Sequence, residues 1–472
     1  MSKRNLMTAL AAAAMLAACT TPVGQQSSGI DSAPQWNQLS VQSGQSGSGQ
    51  SGDYLVPSTD AEVDQHWWAR FRDPVLDALV SEALASNKML AIARARVEEA
   101  RADRLLARSS LAPQVNATAS SERGNRGFLT NDQAVTINQV AVSATWELDL
   151  FGRNQARTAQ AGAILQSAQA SQQAVRVALL AEVARTYFDL RNDEQQLDLT
   201  RRNLATQRKT LELVQAQVRG AFASDFDVQR AAAQVSATEA LIPALQTARD
   251  AATNRLASLL GRPPGTMGTM LAPRQDMPPL DHGILVSAPA KVLATRPDVR
   301  VAERQFAASI SGRKAAVAEL FPNISLTALF GAQDATPFSS TPWGIGAGLV
   351  QPLLNFGRIR SQIDAADARQ QQAFLAYQQT VLEALEDMEN ALSGYLNENA
   401  RNASLAAGVA QNRRAAQLAR MQFTQGYVGL LDVLVAERDL LDAESRQSAS
   451  DADLRRDLVR IFAAAGGGWQ VE

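Results

Sequence analysis

Between Arg153 and Arg219 the chain contains no proline, and Gly162 is its only glycine. At about 1.5 Å of rise per residue, one helix over that span approaches 100 Å. Val183, Leu190, Leu197, Leu204, Leu211 and Val218 recur at strict seven-residue spacing. That is the seam of a supercoiled helix pair, although a single stripe of this kind also describes an ordinary core face. A second helix is expected from Asp225 to Leu260, ended by Gly261-Arg262-Pro263-Pro264. The other half of the chain offers the same pair, Arg358 to Gln425 and Leu431 to Ala465. Two hairpins with arms this long do not fit one compact domain, so the pattern predicts a helical tube. The composition agrees: 46% hydrophobic, carried largely by alanine, with only 5% aromatic, which suits closely packed helices.

The layout repeats. Leu111-Ala112-Pro113-Gln114 corresponds to Leu320-Phe321-Pro322-Asn323, with the prolines 209 residues apart. Phe151-Gly152-Arg153 corresponds to Phe356-Gly357-Arg358, and Asp227-Val228 to Asp432-Val433, both 205 apart. Three anchors at nearly one offset indicate an internal duplication. Both Phe-Gly-Arg sites are expected to mark strand-to-helix passages, where glycine permits unusual backbone angles.

Each half also carries two runs with period-2 alternation. Val140, Val142, Ala144, Trp146, Leu148 and Leu150 share one face of Asn138 to Leu150, opposite Gln139, Ser143, Thr145 and Glu147. Ile324, Leu326, Ala328 and Phe330 alternate with Asn323, Ser325 and Thr327. Trp343, Ile345, Ala347 and Leu349 alternate with glycines, and Val115, Ala117 and Ala119 form the weakest run. Runs of about 10 residues match a tilted transmembrane strand, and they equally match a half-buried strand of a soluble sheet. Four strands cannot close a membrane barrel, and lipid does not tolerate an open edge. The spanning reading therefore requires oligomerisation; three copies give twelve strands.

The N-terminus bears on that choice. Lys3 and Arg4 precede the short apolar run Leu6 to Ala18, a secretory signal over residues 1–18. Leu16-Ala17-Ala18-Cys19 resembles a bacterial lipobox, in which the cysteine is acylated and becomes the new N-terminus. The alternative is an ordinary cleavage site beside an incidental cysteine. Thr20, rather than aspartate, after the cysteine favours outer-membrane sorting. Residues 19–60, rich in Gly, Ser and Gln, are expected to form a flexible tether.

Composition excludes several chemistries. Cys19 is the only cysteine, and His66 and His282 are the only histidines. No Cys/His zinc cluster, disulfide framework or iron–sulfur site follows, and no metal or other cofactor is expected. A formal charge of −2 gives no basic footprint for nucleic acid. Two rivals to a channel remain: a lipid-anchored periplasmic coiled-coil scaffold or adaptor without a pore, and a secreted hydrolase. The scaffold leaves the duplicated strand runs unexplained. The hydrolase lacks a histidine in any nucleophile or metal motif.

Further residues carry a family resemblance. Trp67-Trp68-Ala69-Arg70-Phe71-Arg72-Asp73-Pro74-Val75-Leu76 looks like the opening signature of the TolC-type outer-membrane efflux proteins. Arg296-Pro297-Asp298-Val299-Arg300-Val301-Ala302-Glu303 resembles their Arg-Pro-Asp motif, and Gly426 with Leu431-Asp432-Val433-Leu434 their second hairpin turn. The resemblance covers nearly all of residues 61–465 and points to the lipoprotein branch that partners resistance-nodulation-division pumps. It implies a mainly α fold with transmembrane β: a long α-helical barrel plus a twelve-stranded β-barrel, four strands from each of three chains. It also implies a homotrimeric conduit in the outer membrane that meets a periplasmic adaptor and an inner-membrane pump and is not an enzyme. The expected domains are a first repeat over 61–260, an equatorial linker over 261–297, a second repeat over 298–465 and a tail over 466–472.

Candidate sites follow from that layout. Cys19 is the lipid attachment point. The hairpin tips, with Ala221, Phe222, Ala223 and Ser224 in the first and Val428, Gly429 and Leu430 in the second, are candidates for adaptor docking. Plain turn chemistry explains the same residues. Asp225, Asp227 and Asp432 would form carboxylate rings at an aperture in a trimer, or else cap helices. Val140, Val142, Trp146, Leu148, Ile324, Leu326, Trp343 and Ile345 are the candidate membrane-facing strand residues, with core packing as the alternative for the two tryptophans.

Overall fold

A computed structural model describes residues 26–39, 55–58, 64–125, 134–268, 271, 284–335 and 338–467. Cys19 and the signal segment lie outside the described residues. The first half contributes β1 (Leu55–Ser58), α1 (Pro74–Ser86), α2 (Lys88–Ser109), β2 (Gln114–Gly124) and β3 (Val135–Glu147). The long α3 (Arg153–Arg219), α4 (Asp225–Glu239) and α5 (Leu241–Leu259) follow. The second half contributes β4 (Ile284–Ser287), α6 (Pro289–Thr295), α7 (Pro297–Ala318), β5 (Asn323–Ala335), β6 (Phe338–Ser340) and β7 (Trp343–Val350). It closes with α8 (Phe356–Thr424) and α9 (Leu430–Ala464).

The chain divides into two compact units. One comprises Met1–Ile30, Arg94–Ser171 and Asp298–Val381, and holds β2, β3 and β5–β7. The other comprises Asp31–Ala93, Gln172–Pro297 and Leu382–Glu472.

The second unit contains the main core. Trp67, 1% exposed, stacks on Phe462 with ring centroids 5.4 Å apart and lies edge-on to Trp68 and Phe71. Leu76 and Leu79 of α1, Val183 and Leu190 of α3, Met388 of α8 and Leu458 of α9 fill the space around it. The heptad seam runs into this core: Val183, Leu190, Leu197 and Leu204 are all buried. Asp73 starts α1 by accepting from the Val75 backbone N–H at 2.9 Å, with Pro74 at the first helical position. Its other oxygen accepts from the Tyr187 hydroxyl at 2.5 Å. Burial, followed by this carboxylate, pushes the tyrosine pKa up. Arg296 is buried in the same unit. Its guanidinium donates to the Ala464 carbonyl at 3.0 Å near the end of α9 and to Asp387 of α8 at 3.0 Å. The Arg-Pro-Asp motif thus ties the middle segment to both arms of the second hairpin.

Several expectations are corrected. The returning arm of the first hairpin is not one helix from Asp225 to Leu260; it breaks at Ala240. Pro243 has no N–H for the Glu239 carbonyl, and its ring crowds that turn. The tether is not free throughout 19–60. Trp36 and Leu39 are buried, the Trp36 indole donates to the Ser287 carbonyl at 2.8 Å, and β1 pairs in parallel with β4. Apolar side chains in a polar stretch found a surface to cover. β3 stops at Glu147 rather than Leu150, because Asp149 (φ 46°) and Gly152 (φ 74°) turn the chain. Asp149 then caps α3 through the N–H groups of Asn154 and Gln155, each at 2.8 Å. Phe356-Gly357-Arg358 does mark the passage from β7 to α8, but Gly357 is the second residue of α8 and has no positive φ.

Candidate functional site

Two features carry the geometry, the sheet of the first unit and the two hairpin turns of the second. The sheet is antiparallel in the order β2-β3-β5-β7, with short β6 also on β5. Register places the apolar residues in rows across it. Val142 lies opposite Ala117 on one side and Phe330 on the other, and Phe330 lies opposite Trp343. Ala144 lies beside Ala328 and Ala328 beside Ile345, while Trp146 lies beside Leu326. Opposed residues share a face. This face is bare within the chain: Val140, Val142 and Phe330 are exposed, Trp343 is 74% exposed and Ile345 83%. Trp146 is partly exposed and donates from its indole to the Leu111 carbonyl at 3.0 Å; neither tryptophan is core packing within the chain. Leu148 and Ile324 are half-buried, and the Leu148 N–H donates to the Ile324 carbonyl at the sheet's end. Among the described residues β2 pairs only with β3 and β7 only with β5, so both edges are open.

The turns are built alike at the 205-residue offset. The Phe222 N–H donates to the Gln217 carbonyl and the Tyr427 N–H to the Gln422 carbonyl, both at 2.8 Å. This is the helix-ending motif that needs one left-handed residue. Gly426 fills that position in the second turn (φ 78°), while Ala221 fills it in the first (φ 61°). A non-glycine residue there costs about 1 kcal/mol. Ala221→Gly is therefore expected to stabilise the protein by up to about 1 kcal/mol and Gly426→Ala to destabilise it by a similar amount. Opposite shifts of the urea midpoint of the detergent-solubilised protein check this pair.

After each turn a carboxylate reaches back to the start of the next helix. Asp227 accepts from the Ser224 N–H at 3.1 Å and Asp432 from the Gly429 N–H at 3.0 Å. The Ser224 hydroxyl bond, then the backbone bond, lowers the Asp227 pKa. These two candidate aperture carboxylates are thus helix caps. Asp225 is exposed in the first turn of α4. Phe222 and Tyr427 are 87% and 78% exposed, and Ser224 and Gly429 are exposed. Ala223 and Val428 are half-buried. Leu430 does not belong to the exposed tip: it packs with Val214, Ala231 and Leu434 where the two hairpins meet.

A buried polar link behind that cluster has no counterpart in the sequence reading. Glu437 of α9 is fully buried; it accepts from Thr210 of α3 at 3.1 Å and from Arg420 of α8 at 2.8 Å. One carboxylate thereby joins both hairpins. A lone glutamate on a leucine-rich helix reads as solvated, so only packing reveals it.

The family model described as outer membrane efflux protein matches residues 79–262 and again 288–467, one match for each half. The chain belongs to the outer membrane efflux protein family. Nodulation protein T of Rhizobium leguminosarum bv. viciae is 31% identical over 407 residues, 85% of this chain and 84% of that relative. The pyoverdine export outer membrane protein OpmQ of Pseudomonas putida is 30% identical over 423 residues, 87% of this chain and 89% of that relative. The outer-membrane channel OprN superposes with a TM-score of 0.86 at 30% identity, covering 94% of this chain and 99% of that one. The chain is an outer-membrane efflux channel, with a helical barrel and a β domain, located in the outer membrane and extending into the periplasm. The resemblance read from the three motifs and the duplication holds at the level of the family.

Proposed function

We propose that three copies of this chain form the passive outer conduit of a tripartite efflux system. The carrying observation is the open sheet, four strands wide across β2, β3, β5 and β7, with a bare apolar face. Lipid requires every edge to be paired, so each copy's β2 would meet the β7 of the next, closing twelve strands. Val140, Val142, Trp146, Leu148, Ile324, Leu326, Trp343 and Ile345 face outer-membrane lipid on this reading, and acyl chains on Cys19 add a second anchor. The conduit makes and breaks no bonds, needs no cofactor and binds no nucleic acid. Its small-molecule cargo comes from an inner-membrane pump through a periplasmic adaptor. Purified protein in planar bilayers is expected to give discrete conductance steps and heat-modifiable trimers. Protein that washes off outer membranes and conducts nothing would establish the pore-free scaffold instead.

The hairpin turns are the adaptor contact on this reading, through Ala221, Phe222, Ala223, Ser224, Val428 and Gly429. Exposed Phe222 beside small residues suits a partner helix tip. Gly429→Trp is expected to cut drug export in cells at least about tenfold while trimers still form, because an indole there blocks close approach. Unchanged export and adaptor cross-linking would reject the contact. Asp225, Asp227 and Asp432 gather at the same end, and three copies of each favour cations there.

A further inference from the structure

One hollow in the first unit has no part in the conduit reading. It lies along one face of α7, between the starts of α3 and α8, and has a volume of about 800 Å³. That is ligand-sized. Its floor is made of small residues of α7 such as Ala308, Gly312 and Ala316. A Cβ on Gly312 would meet the Gln160 amide at 3.0 Å, so the glycine keeps the floor low.

The lining charge is lopsided. Arg157, Arg313, Arg358 and Arg369 face one carboxylate, Glu319. The chain as a whole carries a formal charge of −2, so this is a local inversion of sign. Arg157 and Arg358 share Glu319, at 3.4 Å and 4.0 Å. Arg313 pairs with Asp367, which lies outside the lining. Arg369 is exposed and makes no ion pair among the described residues. The paired guanidiniums are about half exposed, and exposed pairs contribute only about 0–1 kcal/mol. An incoming anion therefore displaces them at little cost, and guanidinium geometry suits bidentate contact with carboxylate or phosphate oxygens.

Glu319 and Arg358 also line an adjoining hollow that holds Glu147 and Arg153, themselves paired at 2.8 Å. Glu147 belongs to the polar face of the sheet. The arginine hollow therefore adjoins a second hollow that includes this polar-face carboxylate.

We propose that this hollow is an anion-binding site for a molecule bearing carboxylate or phosphate groups, held by Arg157, Arg313, Arg358 and Arg369. Two sources share that chemistry, an exported anionic solute and an anionic lipid headgroup. The probe is citrate, titrated calorimetrically into the full-length protein in neutral detergent. Saturable binding that weakens with added salt is expected. Arg313→Gln with Arg369→Gln is expected to lower the affinity about tenfold or more. Ser309→Glu, which adds a carboxylate to the lining and leaves all four arginines in place, is expected to do the same. No saturable binding by the wild type, or unchanged binding by either variant eluting as wild-type trimer, overturns the site. In nanodiscs, displacement of citrate by phosphatidylglycerol supports the site and assigns it to a headgroup; failure to displace supports it and assigns it to a solute. Conductance of the same preparation in neutral bilayers keeps the two readings apart. A conducting channel that ignores citrate removes the site alone.

Discussion

Replacing Val142 with arginine is expected to abolish insertion of the channel into the outer membrane. Val142 sits within an apolar row, between Ala117 and Phe330, with Trp343 beyond. A guanidinium on a lipid-facing strand costs about 2–4 kcal/mol near the bilayer mid-plane. In the proposed trimer three copies bear that cost together, against a net stability of only about 5–15 kcal/mol for a typical domain. Ser143→Arg is the matched control, because Ser143 lies on the polar face, opposite Asn116 and Leu329. Heat-modifiable trimers in outer-membrane fractions should vanish for the first variant and persist for the second. Equal recovery of both would show that this face does not meet lipid.

Trp67→Ala should be the most damaging change in the main core. The residue is 1% exposed, stacks on Phe462 and packs edge-on against Trp68 and Phe71. Truncating a buried aromatic costs about 3–5 kcal/mol, because the walls relax only partly into the void. The thermal midpoint of the solubilised protein should fall sharply, and Trp67→Phe should fall between the two. An unchanged midpoint for the alanine variant would mean that α9 holds its place without this contact.

What could be read from residues alone was whatever spacing encodes. The heptad run from Val183 to Val218 predicts a buried seam; it is buried as far as Leu204 and half-buried at Leu211 and Val218. The alternating runs announced strands, and the constant offset between Asp227 and Asp432 announced two turns of one design. The losses have physical causes. β1 is four residues long, and its partner β4 lies far along the chain, so neither segment has a local signal. Pro243 lies inside a run whose other residues all favour helix, and it breaks that run. Its place beside a turn predicts that Leu430 is exposed, whereas the meeting of two hairpins buries it. Glu437 and the arginine hollow depend on which helices become neighbours, and no single helix records that.

The stacking of Trp67 on Phe462 has a consequence for how such a chain is made. Nearly the whole polypeptide separates the two rings, so the main core cannot close until the final helix has been delivered. Export across the inner membrane proceeds from the N-terminus, and the leading residues must wait in the periplasm without their partner. A polypeptide cut short before α9 would expose the apolar surface around Trp67 and become a ready substrate for proteases. Closure of the main core is thereby tied to the arrival of α9.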